Sequence, residues 1–274
     1  MIISRLFIYP IKSCAPVEVD QLGFDDFGPR GDRRFMLVDE QGKFLSQRQL
    51  PVMARIQPEL RWREDGELAG LLIRAPGQDD FELALSSDLS LREVTVWKDT
   101  LMAEDCGDRA ADWFSALLQR RCRLVQLPVG SQRQVSPKRA PQGRYHAFAD
   151  GYPLLVVTQA SLDHLSQQVG RDIAVERFRP NVVVAGAEQL FAELSWKRLE
   201  LERGYLDLVK PCVRCVVPTR GMDTLEREAD VLEALKQSFR VDGQIVFGQN
   251  AIDYDVTELA VGDSLMASLC AESE

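Results

Sequence analysis

Short runs of apolar and β-branched residues, separated by turn-forming residues, fill the first hundred positions of the chain. Stretches such as "RLFIYPI", "RRFMLVDEQGKFLSQRQ" and "REVTVW" have the length and composition of strands, and "DEQGK" and "SSDLS" supply turn chemistry. Many short strands at this spacing are typical of a barrel or a sandwich. We therefore predict that the N-terminal part of the chain is a β-barrel-like unit.

Helical periodicity is confined to a few places. Ala110, Trp113, Phe114, Leu117 and Leu118 recur at helical spacing and predict a helix over "DRAADWFSALLQR". Further helices are predicted at "QASLDHLSQQV", with Thr158 as its N-cap, and at "EADVLEALKQSF".

The second half of the chain also contains more strand patterns than helices. Strands are predicted at "LLVVT", "NVVVAG", "KRLELERGYLDLV", "RCVVPT" and "GQIVFGQNAI", and a "VGD" turn joins two more near the end. Because the strands do not alternate with helices as regular βαβ units, we expect a mainly β protein with helices (α+β) of barrel type, not a Rossmann sheet.

One long polar stretch, "VGSQRQVSPKRAPQGRYHAFADGYP", is predicted to be a loop, and loops of this length inside a compact domain are usually functional or disordered. The chain has 274 residues, enough for one large or two ordinary domains. We place a boundary near residue 122, which gives an N-terminal domain over 1–122 and a second domain over 123–274.

The charge balance narrows the range of partners. The chain has 42 acidic and 33 basic residues and a formal net charge of −9, which disfavours nonspecific binding to nucleic acid or to anionic membranes. The N-terminus has no charged segment before its apolar stretch, and no run of 18 apolar residues occurs. We therefore expect a cytoplasmic protein with reduced cysteines and no membrane or nucleic-acid partner.

The stretch "KPCVRCVVPT" places Cys212 and Cys215 three positions apart, with Arg214 between them. A structural zinc site would need about two further ligands close in sequence, and a thioredoxin-like dithiol would begin a helix; neither pattern is present. Two buried cysteines that pack as small apolar residues remain an alternative. Against it, a guanidinium beside a thiol favours the thiolate, which is both a nucleophile and a soft metal ligand.

Three other stretches combine cations with tight turns. They are "YPIKSC" with Lys12 and Ser13, "GPRGDRRFMLVDEQGKFLSQRQLP" with Arg33 and Arg48, and "RFRPNVVV" with Arg179 and Asn181. Taken singly, each is most simply a surface cation in a turn. In "YPIKSC", the ammonium of Lys12 and the hydroxyl of Ser13 could both reach an anion.

Taken in order, these stretches resemble the MOSC superfamily, the molybdenum cofactor sulfurase C-terminal domain proteins. The similarity is to members with an N-terminal β-barrel domain, such as bacterial YcbX-type proteins and the mitochondrial amidoxime-reducing components. It runs from "YPIKSC" through "FADGYPLLVVTQASL", "RFRPNVVVAG" and "CVRC" to "FGQNA" and "LAVGD", nearly the whole chain. The resemblance implies a MOSC β-barrel, like the pyruvate kinase barrel, after an N-terminal β-barrel-like domain.

The resemblance also implies a molybdenum cofactor, Mo-molybdopterin, with Cys215 as the metal ligand and Cys212 as its neighbour. Phosphate and pterin contacts would fall to Lys12, Ser13, Arg33, Arg179 and Asn181, because a phosphate and a polar ring suit arginine, lysine and hydroxyl donors. Arg48, Arg139 and Arg144 could extend this basic rim. Asp150 would lie close to the metal, for proton delivery or for holding water there. The chain departs from the family where "VVPTRGMDTLE" replaces a Val-Asp-Pro-x-Thr-Gly type turn, which bears on the substrate side of the site.

The function implied is the reduction of small N-hydroxylated or related N-oxygenated compounds. Electrons would come from a separate ferredoxin, flavoprotein or cytochrome, because the chain has no room for an appended iron–sulfur or pyridoxal phosphate module. A second hypothesis is a sulfur or molybdenum cofactor carrier that uses the Cys215 thiolate or persulfide. A third is a module that detoxifies electrophiles by direct attack of the thiolate.

Overall fold

The computed structural model describes residues 1–86 and 89–269. The strands of the first half are β1 Ile2–Ile8, β2 Val17–Val19, β3 Gln21–Asp25, β4 Gly28–Pro29, β5 Phe35–Val38, β6 Gln57–Trp62, β7 Leu68–Arg74, β8 Phe81–Ala84, β9 Leu91–Val96, β10 Asp99–Asp105 and β11 Arg123–Gln126. Those of the second half are β12 Leu154–Thr158, β13 Val182–Ala185, β14 Trp196–Glu200, β15 Tyr205–Val213, β16 Arg240–Val241, β17 Gln244–Tyr254, β18 Glu258–Ala260 and β19 Met266–Leu269.

Three α-helices accompany these strands: α1 Asp108–Leu118, α2 Gln159–Val169 and α3 Ala229–Ser238. All three lie where helical spacing predicts them. The predicted N-cap of α2 is confirmed, because the Thr158 side chain accepts a hydrogen bond from the backbone N–H of Ser161. None of the helices in the described ranges is long and apolar enough to cross a membrane.

A nine-stranded sheet dominates the second half of the chain. Its order is β19-β14-β15-β17-β12-β13-β1-β2, with β16 paired to β17. Only the neighbours β12 and β13 are parallel, and α2 lies between them in sequence. The mainly β, α+β fold class is therefore confirmed.

Both faces of this sheet are covered, which explains the continuous apolar run "LLVVT". Leu154 and Val156 belong to an apolar cluster with β1, β14 and β15 residues on one face. Leu155 and Val157 pack on the other face with residues of α2 and α3.

The other strands form three smaller sheets, with orders β5-β11-β10-β9, β6-β7-β8 and β18-β3-β4. Phe114 of α1 is fully buried and packs in one cluster with β5, β7, β8 and β11 residues. Because β1 and β2 lie in the large sheet, the pairing does not follow a simple division of the chain. The boundary near residue 122 stays a prediction.

The strand predicted at "RCVVPT" is wrong. At "RCVVPT", β15 ends at Val213, and Val217–Thr219 forms a single 3-10 turn. The last ladder bond runs from the backbone N–H of Arg214 to the Ile245 carbonyl, and Pro218 has no N–H to continue it. Cys215 is thus placed in the turn that follows the strand.

Candidate functional site

A cleft of about 180 Å³ brings together all seven residues for which the sequence analysis predicts a role. These residues are Lys12, Ser13, Arg33, Asp150, Arg179, Asn181 and Cys215. Arg48, Trp97, Cys212 and Arg214 line the same cleft.

The sheet explains part of this convergence. The strands β12 and β13 are parallel, and β1 is antiparallel to β13. The end of β1 and the beginnings of β12 and β13 therefore lie on one edge. Lys12 and Ser13 follow β1, Asp150 precedes β12, and Asn181 immediately precedes β13.

Two arginines flank one aromatic ring at the base of the cleft. The guanidinium carbons of Arg33 and Arg179 lie 4.4 and 4.2 Å from the ring centroid of Tyr9. Burial, together with the charge of Arg33, lowers the pKa of Arg179 to about 10. Both guanidiniums therefore stay charged near neutral pH, and an anion placed beside them would relieve their mutual repulsion.

Asn181 holds this pair in place. Its Oδ1 accepts from Arg33 Nη1 at 3.0 Å and from the Leu155 N–H at 3.2 Å. Its Nδ2 donates to the Phe7 carbonyl at 3.1 Å and to Asp32 Oδ1 at 3.2 Å. Since the side chain is fully buried and both ends of its carboxamide are engaged, the residue positions Arg33.

Asp32 is a site residue that sequence reasoning missed. Its carboxylate is buried, accepts from the Tyr9 N–H at 2.8 Å, and pairs with Arg33 at 2.6 Å. Burial alone would lower the pKa of Arg33, but the Asp32 charge raises it. A carboxyl adjacent to a predicted anion-binding arginine was the available signal.

Lys12 and Asp150 form an ion pair across the cleft. Lys12 is buried, and its Nζ also donates to the Phe148 carbonyl at 2.7 Å. The indole Nε1 of Trp97 donates to Asp150 Oδ1 at 2.8 Å. Asp150 thus has two donors from opposite ends of the first hundred residues.

The pair shifts the pKa of both groups. Burial lowers the pKa of Lys12, and Asp150 partly offsets this. Burial would raise the pKa of Asp150, but the Lys12 ammonium and the Trp97 hydrogen bond lower it well below its usual range. The Asp150 side chain is 66% exposed, so the neighbouring cation decides the direction. Asp150 is a carboxylate at neutral pH.

The two cysteines have different surroundings, and both are free thiols. Arg214 Nη1 donates to Cys212 Sγ at 2.9 Å, and Nη2 donates to the Phe178 carbonyl at 2.7 Å. Cys212 packs partly against an apolar cluster, whereas Cys215 is exposed at the cleft. The alternative of two buried packing cysteines is therefore wrong for Cys215. The Arg214 guanidinium therefore contacts Cys212 and not Cys215, the predicted metal ligand.

The remaining cysteines divide between the core and the undescribed residues. Cys14, Cys106 and Cys122 are buried in the cluster around α1. Cys270 lies outside the described residues. Among the residues that are described, no group of three or more His, Cys, Asp or Glu side chains could hold a metal ion.

The basic rim is smaller than expected. Arg48 lines the cleft, but Arg144 donates to the Asp253 carbonyl at 3.2 Å and stacks on Tyr254. Neither Arg139 nor Arg144 is among the lining residues of the cleft in the described chain. The long loop carries both side chains away from it.

Strained backbone is concentrated at this site. Nine non-glycine residues of the described chain have positive φ, and four of them line the cleft: Ser13, Arg33, Trp97 and Arg179. This conformation is disfavoured for side-chain-bearing residues and tends to persist where function requires it.

The donor set fits a phosphate-bearing organic ligand that holds a soft metal. Arg179 Nη2 and Arg214 Nε are buried without a hydrogen-bond partner among the described residues. Such donors suit phosphate and polar ring substituents, and an exposed thiol suits a soft metal. The residues present therefore fit the molybdenum cofactor that the sequence resemblance implies.

Two family models match this chain. Residues 1–121 match the MOSC N-terminal beta barrel domain, and residues 143–266 match the MOSC domain. Mitochondrial amidoxime reducing component 2 of Bos taurus is 32% identical over 251 residues, which cover 87% of this chain and 72% of the relative.

A second relative and one solved structure were also compared. Molybdenum cofactor sulfurase of Anopheles gambiae is 30% identical over 298 residues, 98% of this chain and 37% of the relative. The YuaD protein of Bacillus subtilis is 12% identical, with a TM-score of 0.41 over 96% of this chain and 93% of that chain. On the two family matches and the amidoxime reducing component, the chain belongs to the MOSC superfamily, with an N-terminal MOSC β-barrel domain.

Proposed function

We propose that this protein is a molybdenum cofactor oxidoreductase that reduces N-hydroxylated or related N-oxygenated compounds. The observation that carries the proposal is the meeting of an exposed cysteine, a low-pKa carboxylate, a buried lysine and two partly buried arginines in one cleft. The similarity to amidoxime reducing components supports the reaction class.

Different residues of the chain would bind different parts of the cofactor. Arg33 and Arg179 would hold the phosphate and pterin end, because both guanidinium groups are fixed in place. Asn181 and Asp32 fix Arg33, and the Cys14 carbonyl fixes Arg179. Lys12 and Ser13 would supply further donors at the same end. Cys215 would be the protein ligand of the metal, which would supply the two-electron chemistry of the reduction.

Lys12 and Asp150 would manage the protons of the reaction. At neutral pH the proton of this pair resides on Lys12 Nζ, because the pKa of Asp150 is low. The lowered pKa of Lys12 makes Nζ a better proton donor than an exposed lysine. Asp150 would orient water and pass the proton to the substrate oxygen.

The remaining parts of the proposal concern partners and location. We propose that a separate ferredoxin, flavoprotein or cytochrome delivers electrons and that the substrate is a small molecule. A cytoplasmic location is likewise part of this proposal.

The test uses protein purified from a host grown with molybdate. We expect stoichiometric molybdenum and pterin, and reduction of an amidoxime with a reduced viologen dye as electron source. Cys215→Ser should lose molybdenum and at least roughly 100-fold of the activity, because the soft ligand is replaced by a hard hydroxyl.

Cys212→Ser is the matched control, since it changes the neighbouring sulfur and should keep the metal. A Cys215→Ser protein that retains both molybdenum and full turnover would contradict the proposal.

A carrier of sulfur or of the cofactor is the second candidate. It is favoured by the exposure of Cys215 and by the similarity to a molybdenum cofactor sulfurase. Protein that contains cyanide-labile sulfur on Cys215, without molybdenum and without reductase activity, would favour the carrier.

A further inference from the structure

Trp97 occupies an unusual place at the cleft. Val96 pairs with Asp99 across β9 and β10, so Trp97 and Lys98 form a two-residue hairpin turn. The φ of Trp97 is +57°, whereas Lys98 is not among the residues with positive φ. Glycine is the usual residue at such a first turn position, because a side chain there is strained. The turn itself therefore gives no reason for a tryptophan.

Packing does not explain the indole either. The side chain is 44% exposed and is part of none of the five apolar clusters of the described chain. Its ring lies 4.9 Å from Phe44, and the guanidinium of Arg48 lies 4.8 Å from its centroid. Its N–H is fixed by Asp150. The ring is thus held at a defined angle while much of it faces solvent.

The position of the ring relates it to the reacting groups. Trp97 comes from a hairpin of the N-terminal half, and Cys215 comes from the turn after β15, yet both line the same cleft. The indole contacts Asp150 directly, and in the proposed function Asp150 orients water and passes the proton to the substrate oxygen. A substrate bound beside Cys215 and Asp150 therefore lies in a cleft that the indole also lines.

We propose that Trp97 is a specificity-determining residue, whose ring lines the cleft and stacks on flat, uncharged aromatic substrates. This inference rests on the proposed function and adds the residue that selects the substrate. Fixed aromatic rings bind flat π-systems by offset stacking at little entropic cost.

The positive charge that lines the cleft favours an uncharged substrate. Arg48 lines the cleft without a part in holding the cofactor, and its guanidinium lies 4.8 Å from the centroid of the Trp97 ring. A cationic compound would be repelled by this guanidinium, whereas a neutral aromatic compound meets only the ring. An amidoxime is neutral near pH 7 and the amidine formed from it is a cation, so the same charge would favour release of the product.

The test compares an aromatic amidoxime with an aliphatic amidoxime of similar size. Trp97→Ala should raise KM for the aromatic substrate roughly five- to fifty-fold, the range expected for loss of one stacking contact, and should change KM for the aliphatic one by less than about threefold. Trp97→Phe keeps a ring without the N–H, so it should keep the aromatic preference.

Trp62→Ala is the matched control. Trp62 is 43% exposed and has the guanidinium of Arg30 at 4.7 Å from its ring, but it does not line the cleft. It should leave KM for both substrates unchanged. Equal losses for the two substrates in Trp97→Ala, or no loss for either, would overturn the inference.

A binding measurement separates this inference from the reductase proposal. A neutral aromatic carboxamide, which is flat and is not reduced, is titrated by calorimetry into wild-type, Trp97→Ala and Trp62→Ala protein carrying its native complement of cofactor. Weaker binding in Trp97→Ala alone supports the role of the ring even if amidoximes prove not to be substrates. Equal affinity in all three proteins refutes it, whatever the protein reduces.

Discussion

At the scale of single residues, the site depends on charges that are buried in pairs or threes. Arg33 is set between Asp32 and Asn181, and Lys12 is set between Asp150 and the Phe148 carbonyl. Burying a cation without such partners is costly, so the partners are as necessary as the cations themselves. Asp32 and Asn181 therefore belong to the site even though they do not present free donors to it.

Asp150→Asn tests the Lys12 pair. The substitution leaves the Lys12 ammonium with only a carbonyl acceptor, so the free energy of unfolding should fall by about 1–2 kcal/mol near pH 7, a value discounted for the exposure of Asp150. The folded pKa of Lys12 lies below its unfolded value of 10.5 and falls further without Asp150, so this cost is present below the folded pKa and is lost as pH rises through it, before 10.5 is reached.

Urea denaturation at about pH 7 and at about pH 10 measures this difference. Asp80→Asn, at a surface carboxylate paired with Arg74, is the control and should leave the curve unchanged at both pH values. A variant as stable as wild type at both pH values would show that Lys12 does not need its partner.

At the scale of elements, the beginning of α2 combines a helix cap with a buried acid. Thr158 caps the helix through Ser161, and both hydroxyls also donate to the buried carboxylate of Glu193, at 2.8 and 2.9 Å. Burial raises the pKa of Glu193, and the Thr158 and Ser161 hydrogen bonds partly oppose this. The cap therefore fixes the helix and also solvates an otherwise isolated acid.

Thr158→Ala should cost about 2 kcal/mol of unfolding free energy, because it removes a cap and one donor to Glu193. Thr158→Ser keeps the hydroxyl and should lose at most about half as much. Thermal or chemical denaturation of both variants checks this, and equal losses would show that only the methyl group matters.

At the scale of the whole molecule, the first residues of the chain are part of the second half's sheet. The strand β1 pairs with β13, and Asn181 ties the Phe7 carbonyl of β1, the Leu155 N–H of β12 and the Asp32 loop into one network. The cleft is thus built where distant parts of the chain meet, and its geometry depends on the complete fold.

Asn181→Ala should therefore lower the free energy of unfolding by roughly 2–4 kcal/mol, because several buried groups lose their partner together. Asn250→Ala removes a more exposed amide of the same cleft that donates to the Lys210 carbonyl, and should cost well under about 1 kcal/mol. Similar losses in the two variants, measured by urea denaturation, would contradict a central role for Asn181.

The sequence alone determined the classes of the elements and the residue types of the site. Helical spacing located all three helices, and Thr158 was recognisable as a cap, because periodicity and capping depend on neighbours within a few positions. The ordered motifs identified the family and seven residues that do line one cleft. At "RCVVPT", the sequence did not show whether the short Val-rich run continues the β-strand or turns away from the sheet.

Only the tertiary structure decided which contacts those residues make. It paired Arg214 with Cys212, assigned Asp32 and Asn181 to hold Arg33, and carried Arg139 and Arg144 away from the cleft. It also brought Trp97 against Asp150. Several of these contacts join residues that lie far apart in the chain. The direction in which each side chain points depends on strand register and backbone φ, which the local sequence pattern does not encode.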